Sequence, residues 1–212
     1  MKKNILITWT SKWIWNYLLN ELKFDNEVIG ISRSKNLCGW FKEINIDLTD
    51  YSLFTDIVKY LEQWNIKLDC IIINAWVWHF WKYEQWTNKK YTEIISLNLL
   101  SPILLIKELV PYLNDKAKII FIWSIISKKF MKYWAVYQAS KFGLRWFAGA
   151  LKSEMKGKGI HIINPKIVET SFHDNSEIDI NFGNDKITSL ESIWEVVKNI
   201  LLGLENRFEI DL

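Results

Sequence analysis

Tyr137 and Lys141 stand four residues apart in the segment YQASK, inside a stretch whose apolar residues recur every three or four positions. On a helix this spacing puts both side chains on one face. A free tyrosine titrates near pH ~10. An ammonium alongside favours tyrosinate and lowers that value toward neutrality, which would make Tyr137 a usable proton donor to a carbonyl oxygen. Such a pair seen alone is most often a solvated surface pair, so its meaning depends on what the rest of the chain brings near it. Ser124 closes an apolar, β-branched run, at the carboxyl edge where open α/β sheets take their ligands. Asn98 sits inside a long helical pattern, where an asparagine is most simply a satisfied polar group.

These residues need elements to position them. Apolar, β-branched runs fall at Asn4–Thr8, Glu27–Ser32, Asp69–Ile73, Lys118–Trp123 and Ile160–Asn164, with a weak terminal run at Arg207–Ile210. Helical patterns lie between them at about 12–23, 51–64, 90–113, 135–156 and 189–204. Continuous apolar strands alternating with helices of this length indicate βαβ units and a parallel sheet covered on both faces. Asp50 or Thr49, and Ser189, read as helix starts. Pro102, early in its helical pattern, should kink or restart that helix. No linker, repeat or low-complexity tract divides the chain, so residues 1–212 read as a single doubly wound α/β domain.

Composition narrows the classes. At 212 residues and 50% hydrophobic the chain can bury a core without a disulfide or metal staple. No apolar run reaches the length of a membrane span, and the first residues lack a signal-peptide pattern. Cys38 and Cys70 have no CxxC or His-paired spacing, which suggests a reduced, cytoplasmic protein. The net charge of +3 is spread along the chain and offers nucleic acid no stripe. His79, His161 and His173 lack ligand spacing and read as surface or loop residues, so no metal site is expected. One ratio is abnormal: 13 Trp against 8 Gly. An average chain of this length would hold roughly 15 glycines.

The first strand runs into TWTSKWIW, Thr8 to Trp15, and then directly into a helix. In a doubly wound sheet this is where a dinucleotide pyrophosphate meets backbone N–H groups at a helix N-terminus. That turn calls for glycine, both for positive φ and for close approach of backbone to phosphate. Trp9, Trp13 and Trp15 have the spacing of three such glycines and the opposite properties. Read with glycine there, the segment is TGTSKGIG.

In that form the chain resembles the short-chain dehydrogenase/reductase family, whose first turn is T-G-x-x-x-G-x-G. INAW at Ile73–Trp76 resembles the family's N-N-A-G, with Asn74 and Ala75 retained and Trp76 at the glycine. Asp47 matches the acidic residue near the adenine ring, and Asn98 the family's helix asparagine. Ser124, Tyr137 and Lys141 match the serine and the Y-x-x-x-K pair. NPKIVET resembles P-G-x-V-x-T through Pro165, Val168 and Thr170, although Lys166 stands at the usual glycine. The matches keep one order and spacing along the whole chain, which reverses the odds against the Tyr–Lys pair.

The resemblance implies a Rossmann-type fold with about seven mostly parallel strands, and hydride transfer between a nicotinamide cofactor and a carbonyl or alcohol. Tyr137 would be the acid/base, Ser124 would hydrogen-bond the substrate oxygen, and Lys141 would also bind the nicotinamide ribose. Asn98 would help hold a water leading to Lys141. Thr8, Trp9, Ser11, Lys12, Trp13 and Ile14 would line the cofactor's phosphates, and Asn74, Ala75 and Trp76 its middle. Arg33 after the second strand, together with Lys12, favours the 2′-phosphate of NADP(H) over NAD(H), because no carboxylate follows that strand. A homodimer or homotetramer is implied. The substrate would be set by the segment after Thr170, with Phe172 and Phe182 as candidate lid contacts. Two other classes stay open: a non-catalytic dinucleotide sensor or pseudoenzyme, and an interaction scaffold.

The tryptophans then acquire a single reading. Trp78, Trp81, Trp86, Trp123, Trp134 and Trp146 lie where glycine is common or plausible, whereas Trp40 and Trp64 are the least diagnostic. The composition fits a gene in which one codon, UGA, specifies glycine in its source and was read here as tryptophan. The rival is a degenerate homologue that has lost its cofactor.

Overall fold

The computed structural model describes residues 2–8, 14–34, 41–77, 82–128, 130–168 and 187–212. Trp9, Ser11, Lys12, Trp13, Trp40, Trp78, Trp81, Thr170, Phe172, Phe182, Cys38, His79 and His173 lie outside the described residues. Of Ile14 and Trp15 only the backbone is described.

Seven strands form one parallel sheet: β1 (Lys3–Thr8), β2 (Asn26–Ser32), β3 (Lys42–Asn45), β4 (Leu68–Ile73), β5 (Leu113–Ile122), β6 (Gly159–Asn164) and, after a short pair, β9 (Glu209–Asp211). Their spatial order is β3-β2-β1-β4-β5-β6-β9, and every pairing is parallel. The order reverses direction between β1 and β4, so the crevice beyond their carboxyl ends is the ligand position of such a sheet. The short pair, β7 (Ile167–Val168) and β8 (Ile187–Thr188), joins the two sides of the segment 169–186. This is the doubly wound parallel sheet that the strand and helix pattern indicates and the Rossmann-type, seven-stranded form that the resemblance implies.

The helices are α1 (Ile14–Asp25), α2 (Phe54–Gln63), α3 (Asn88–Ile95), α4 (Ser101–Leu109), α5 (Ala135–Glu154) and α6 (Leu190–Leu202). Side chains alternate across each strand and build two layers. Leu6, Ile71, Ile73 and Phe121 face the layer with Ile57 of α2, Leu105 of α4 and Leu144 of α5. Ile5, Ile7, Ile72 and Ile122 face the opposite layer with Leu18 of α1 and Val197 of α6. Each fully buried aliphatic side chain contributes roughly 1.5–3 kcal/mol. Start signals act as expected: Asp50 accepts from the Ser52 N–H in the turn before α2, and Ser189 accepts from the Ser192 N–H before α6. Helix α6 stops at Gly203, whose φ of 75° closes the left-handed cap that glycine takes without strain.

Several expectations need correction. The pattern at 90–113 is three pieces: α3, a π-helical turn at Ser96–Leu100, and α4 with Pro102 in its first turn. Proline has no N–H to donate, and the wider turn before it absorbs that loss. With the 3₁₀ turn Val110–Tyr112 that follows α4, they make a helical run of 25 residues, Asn88–Tyr112, long and apolar enough by length and composition to cross a membrane. In this fold Leu105, Ile106 and Leu109 are buried in the core against the sheet. Strand β5 begins at Leu113 rather than Lys118, and β3 adds an edge strand too short and polar to read in advance. His161, expected on the surface, is buried in β6, with Nδ1 against the Arg207 carbonyl.

An ion network fastens the last strand beneath α5. Arg145 of α5 donates to both Glu209 carboxylate oxygens at 3.0 and 2.8 Å, and Asn164 and Lys128 add contacts at 2.8 and 3.1 Å. The guanidinium hydrogen bonds come first among the causes that hold the Glu209 carboxyl down at about 2. A depressed carboxylate contributes stability above its unfolded pKa and loses it as pH falls through the folded one. The chain is therefore expected to lose on the order of 2–3 kcal/mol between about pH 4.5 and 2 through this group. Urea unfolding against pH should show that slope flattened in Glu209→Gln; an unchanged slope would discard the assignment.

Candidate active site

The site collects at the carboxyl ends of β1, β4, β5 and β6, on the face of α5. At the end of β1 the Thr8 hydroxyl accepts the backbone N–H groups of Asn74 and Ala75 at 2.9 and 3.0 Å. Thr8 and Asn74 are both buried, and this clamp fixes the turn that follows β4. One residue beyond Trp76, Val77 is gripped by Asn98. The Asn98 carbonyl accepts the Val77 N–H at 2.7 Å, and its amide donates to the Val77 carbonyl at 2.7 Å and to Ser140 Oγ at 3.2 Å. Asn98 thus braces the post-β4 turn against α5, with both amide hydrogens engaged. The π-helical turn positions it, and Gly143 lets α5 approach: a Cβ there would meet the Leu99 methyls at 3.2 Å.

Tyr137 and Lys141 share one face of α5, as their spacing required, and both are buried. The Lys141 Nζ lies 4.0 Å from the ring centre of Trp123, 5.0 Å from Trp76 and 5.4 Å from Tyr137. Trp134 packs edge-on to Tyr137 with ring centres 5.4 Å apart. Ser124 follows Trp123 at the end of β5 and is half-buried. Beside Tyr137 a shallow, open cleft is lined by Tyr83, Trp86, Tyr91, Ile94, Tyr133 and Trp134.

The electrostatics reverse one expectation. The ammonium was to lower the tyrosine toward neutrality, but burial dominates both groups. It pushes the Tyr137 phenol above its ordinary value and the Lys141 ammonium down to about 7. The cause is desolvation: three aromatic rings stand where water would hydrate the cation, and the cation–π attraction offsets only about 2 kcal/mol of that loss. Between the folded value near 7 and the free value near 10.5 the unfolded chain binds the extra proton, so stability rises with pH across that window. Lys141→Met is accordingly expected to stabilise the chain by roughly 2–5 kcal/mol below pH 7, with the gain vanishing toward pH ~10. Urea unfolding at several pH values measures it, and a destabilised variant at pH 6 would contradict the account.

The other candidates lie as follows. Pro165 is buried after β6 and its carbonyl accepts the Ile125 N–H at 3.1 Å. Val168 pairs with Thr188 in the short second sheet. Asp47 caps its own turn, accepting from the Thr49 N–H and hydroxyl at 2.8 Å. Arg33 is exposed just past β2. Sequence reasoning missed Glu43: it is remote from the end of β2 in the chain, but the β2–β3 register brings its carboxylate to 2.8 Å from the Ser32 hydroxyl. The signal, an acidic residue one strand over, becomes legible only once β3 is known to pair there.

Comparison with known proteins agrees with the fold. Ketoacyl reductase HetN of Nostoc sp. is 23% identical over 221 residues, covering 97% of this chain and 76% of that protein. The 3beta-hydroxysteroid dehydrogenase dhs-16 of Caenorhabditis elegans is 22% identical over 164 residues, 68% of this chain but only 42% of that protein. A short chain dehydrogenase family protein from Francisella tularensis superposes with a TM-score of 0.87 at 21% identity, over 100% of this chain and 97% of that one. The ligand-free aldohexose dehydrogenase of Thermoplasma acidophilum gives 0.88 at 14% identity, over 100% and 92%. The family model for short chain dehydrogenases matches residues 31–181. With that match spanning more than half of its length, the chain belongs to the short-chain dehydrogenase family of oxidoreductases.

Proposed function

We propose that the glycine form of this chain is an NADP(H)-dependent oxidoreductase acting on a carbonyl or alcohol, with Tyr137 as acid and base toward the substrate oxygen. The observation that carries the reading is the convergence of Tyr137 and Lys141 on one buried point beyond the ends of β4 and β5. A nicotinamide dinucleotide would supply or take up the hydride. Tyr137 would hand a proton to the carbonyl oxygen, Ser124 would orient that oxygen, and Lys141, once hydrated, would hold the phenol's proton more loosely. The assembly would be a homodimer or homotetramer, as in the resemblance above.

The tryptophan form does not fit the dinucleotide. Lys141, the group meant to meet the ribose, is 1% exposed, and indoles stand against it on two sides. No step is therefore assigned through the cofactor in that form, and the enclosure favours the second reading, a pseudoenzyme. The choice between dinucleotides turns on two opposed groups. Arg33 suits a 2′-phosphate, whereas the Glu43 carboxylate at Ser32 suits a free 2′-hydroxyl.

The test is oxidation of NADPH and of NADH by the glycine form against a panel of ketones and aldehydes. Turnover supports the reductase, and a lower KM for NADPH supports the Arg33 reading. Cofactor binding without turnover on any carbonyl would make the chain a sensor, and no binding at all would leave a scaffold.

A further inference from the structure

We infer that Trp76 and Trp123 form a two-ring plug over Lys141, and that both positions are glycine in the working protein. The inference goes beyond the reductase reading and does not depend on it, because it concerns which residues close the site and not which reaction runs there.

Four observations carry it. The two indole centres lie 5.0 and 4.0 Å from Nζ and, with Tyr137, account for the near-complete burial of a lysine at the mouth of a sheet crevice. The Trp123 indole N–H is buried with no hydrogen-bond partner among the described residues, a defect that disfavours burial. A residue selected to be tryptophan would find that donor an acceptor.

The backbone needs neither indole. The Trp123 N–H already pairs with the Ile163 carbonyl at 2.8 Å, and the turn around residue 76 is held on one side by Thr8 and on the other by Asn98. What the side chains add is bulk against a cation, which among the described residues has the rings of Trp76, Trp123 and Tyr137 around it. Finally, the same residue type recurs where exposure leaves an indole little to pack on: Trp146 is 75% exposed. One decoding event, a codon meaning glycine in the source and rendered as tryptophan here, accounts for plug, orphaned donor and composition together. Separate replacements would need a separate cause at each position.

Acetylation of the full-length chain with acetic anhydride at pH 8 reads the plug directly. Below its ordinary value the Lys141 amine is neutral at that pH and nucleophilic, so only burial can protect it. In the tryptophan form peptide mass mapping should find Lys141 unmodified while exposed Lys152 reacts fully. In the double variant Trp76→Gly/Trp123→Gly, Lys141 should react at least tenfold faster, with each single variant in between. Lys141 reacting like Lys152 in the tryptophan form, or remaining protected in a folded double variant, would overturn the plug. The glycine assignment is read independently of variant folding, from the gene and from peptide masses of the protein isolated from its source. UGA codons with glycine masses at positions 76 and 123 support it; UGG codons with tryptophan masses end it.

Discussion

Glycine at positions 9, 13, 15, 76 and 123 is expected to turn a chain with no saturable NADPH binding into one with micromolar affinity, a gain of about 8 kcal/mol over the unbound state. In the sequence Trp9, Trp13 and Trp15 hold the spacing of the three glycines that the resemblance puts at the first turn. A pyrophosphate gains its stabilisation from backbone N–H groups and the positive end of the helix dipole, and both act only at hydrogen-bond distance. A bulky side chain where the resemblance has glycine would compete with the phosphate for that close approach. At the far end of the crevice the ribose would need the Lys141 ammonium, which two further indoles cover. The losses fall on different parts of one ligand, so restoring only one end should recover little. Titration of intrinsic fluorescence with NADPH measures the effect. Micromolar binding by the tryptophan form would refute both halves of the argument.

Tyr137→Phe, made in the glycine form, is expected to lower turnover by about 10²- to 10⁴-fold, the usual contribution of a positioned proton donor. The ring and its packing against Trp134 are kept, so the fold and the wall of the cleft should survive and only the hydroxyl is lost. The loss should appear in kcat more than in the Kd for NADPH, because a group acting on the substrate oxygen stabilises the transition state more than the bound cofactor. The pH profile supplies a second reading. Once Lys141 is hydrated its charge should pull the phenol down, and the rate of the unsubstituted glycine form should bend where Tyr137 titrates. That bend should vanish in the phenylalanine variant. Full activity in Tyr137→Phe would remove Tyr137 from the chemistry.

The parts of this molecule that could be read from the chain are those whose signal is local. The strands at 4–8, 69–73 and 160–164 are continuous β-branched runs because both faces of the sheet are covered, and the structure extends each by no more than a residue. Asp50 and Ser189 cap their turns through side chains two or three residues from the N–H they accept. The Tyr137–Lys141 face follows from helical geometry alone. What escaped reading depends on partners distant in the chain. Strand β3, with the sequence KEIN, is a strand because β2 offers it an edge, not because its residues favour one. His161 is buried because β9 and the Arg207 carbonyl close over it. The Tyr137 phenol is raised by burial instead of lowered, because the spacing of two residues on one helix says nothing about Trp123, which follows β5 and closes over the pair.

The two layers that clothe the sheet are built mainly from isoleucine, leucine and phenylalanine, with Trp123 the single indole among their buried members in the described residues. Folding cooperativity is therefore vested in residues that are the same under either decoding, while competence to take a cofactor is vested in residues that are not. A host that inserts tryptophan should deliver a protein with a sharp melt and the spectroscopy of a native α/β fold, yet inert in every assay. If the glycine form is the working protein, a well-behaved preparation of this chain certifies the scaffold and is blind to the enzyme, and activity screens run on it are expected to return a false negative whatever substrate they contain.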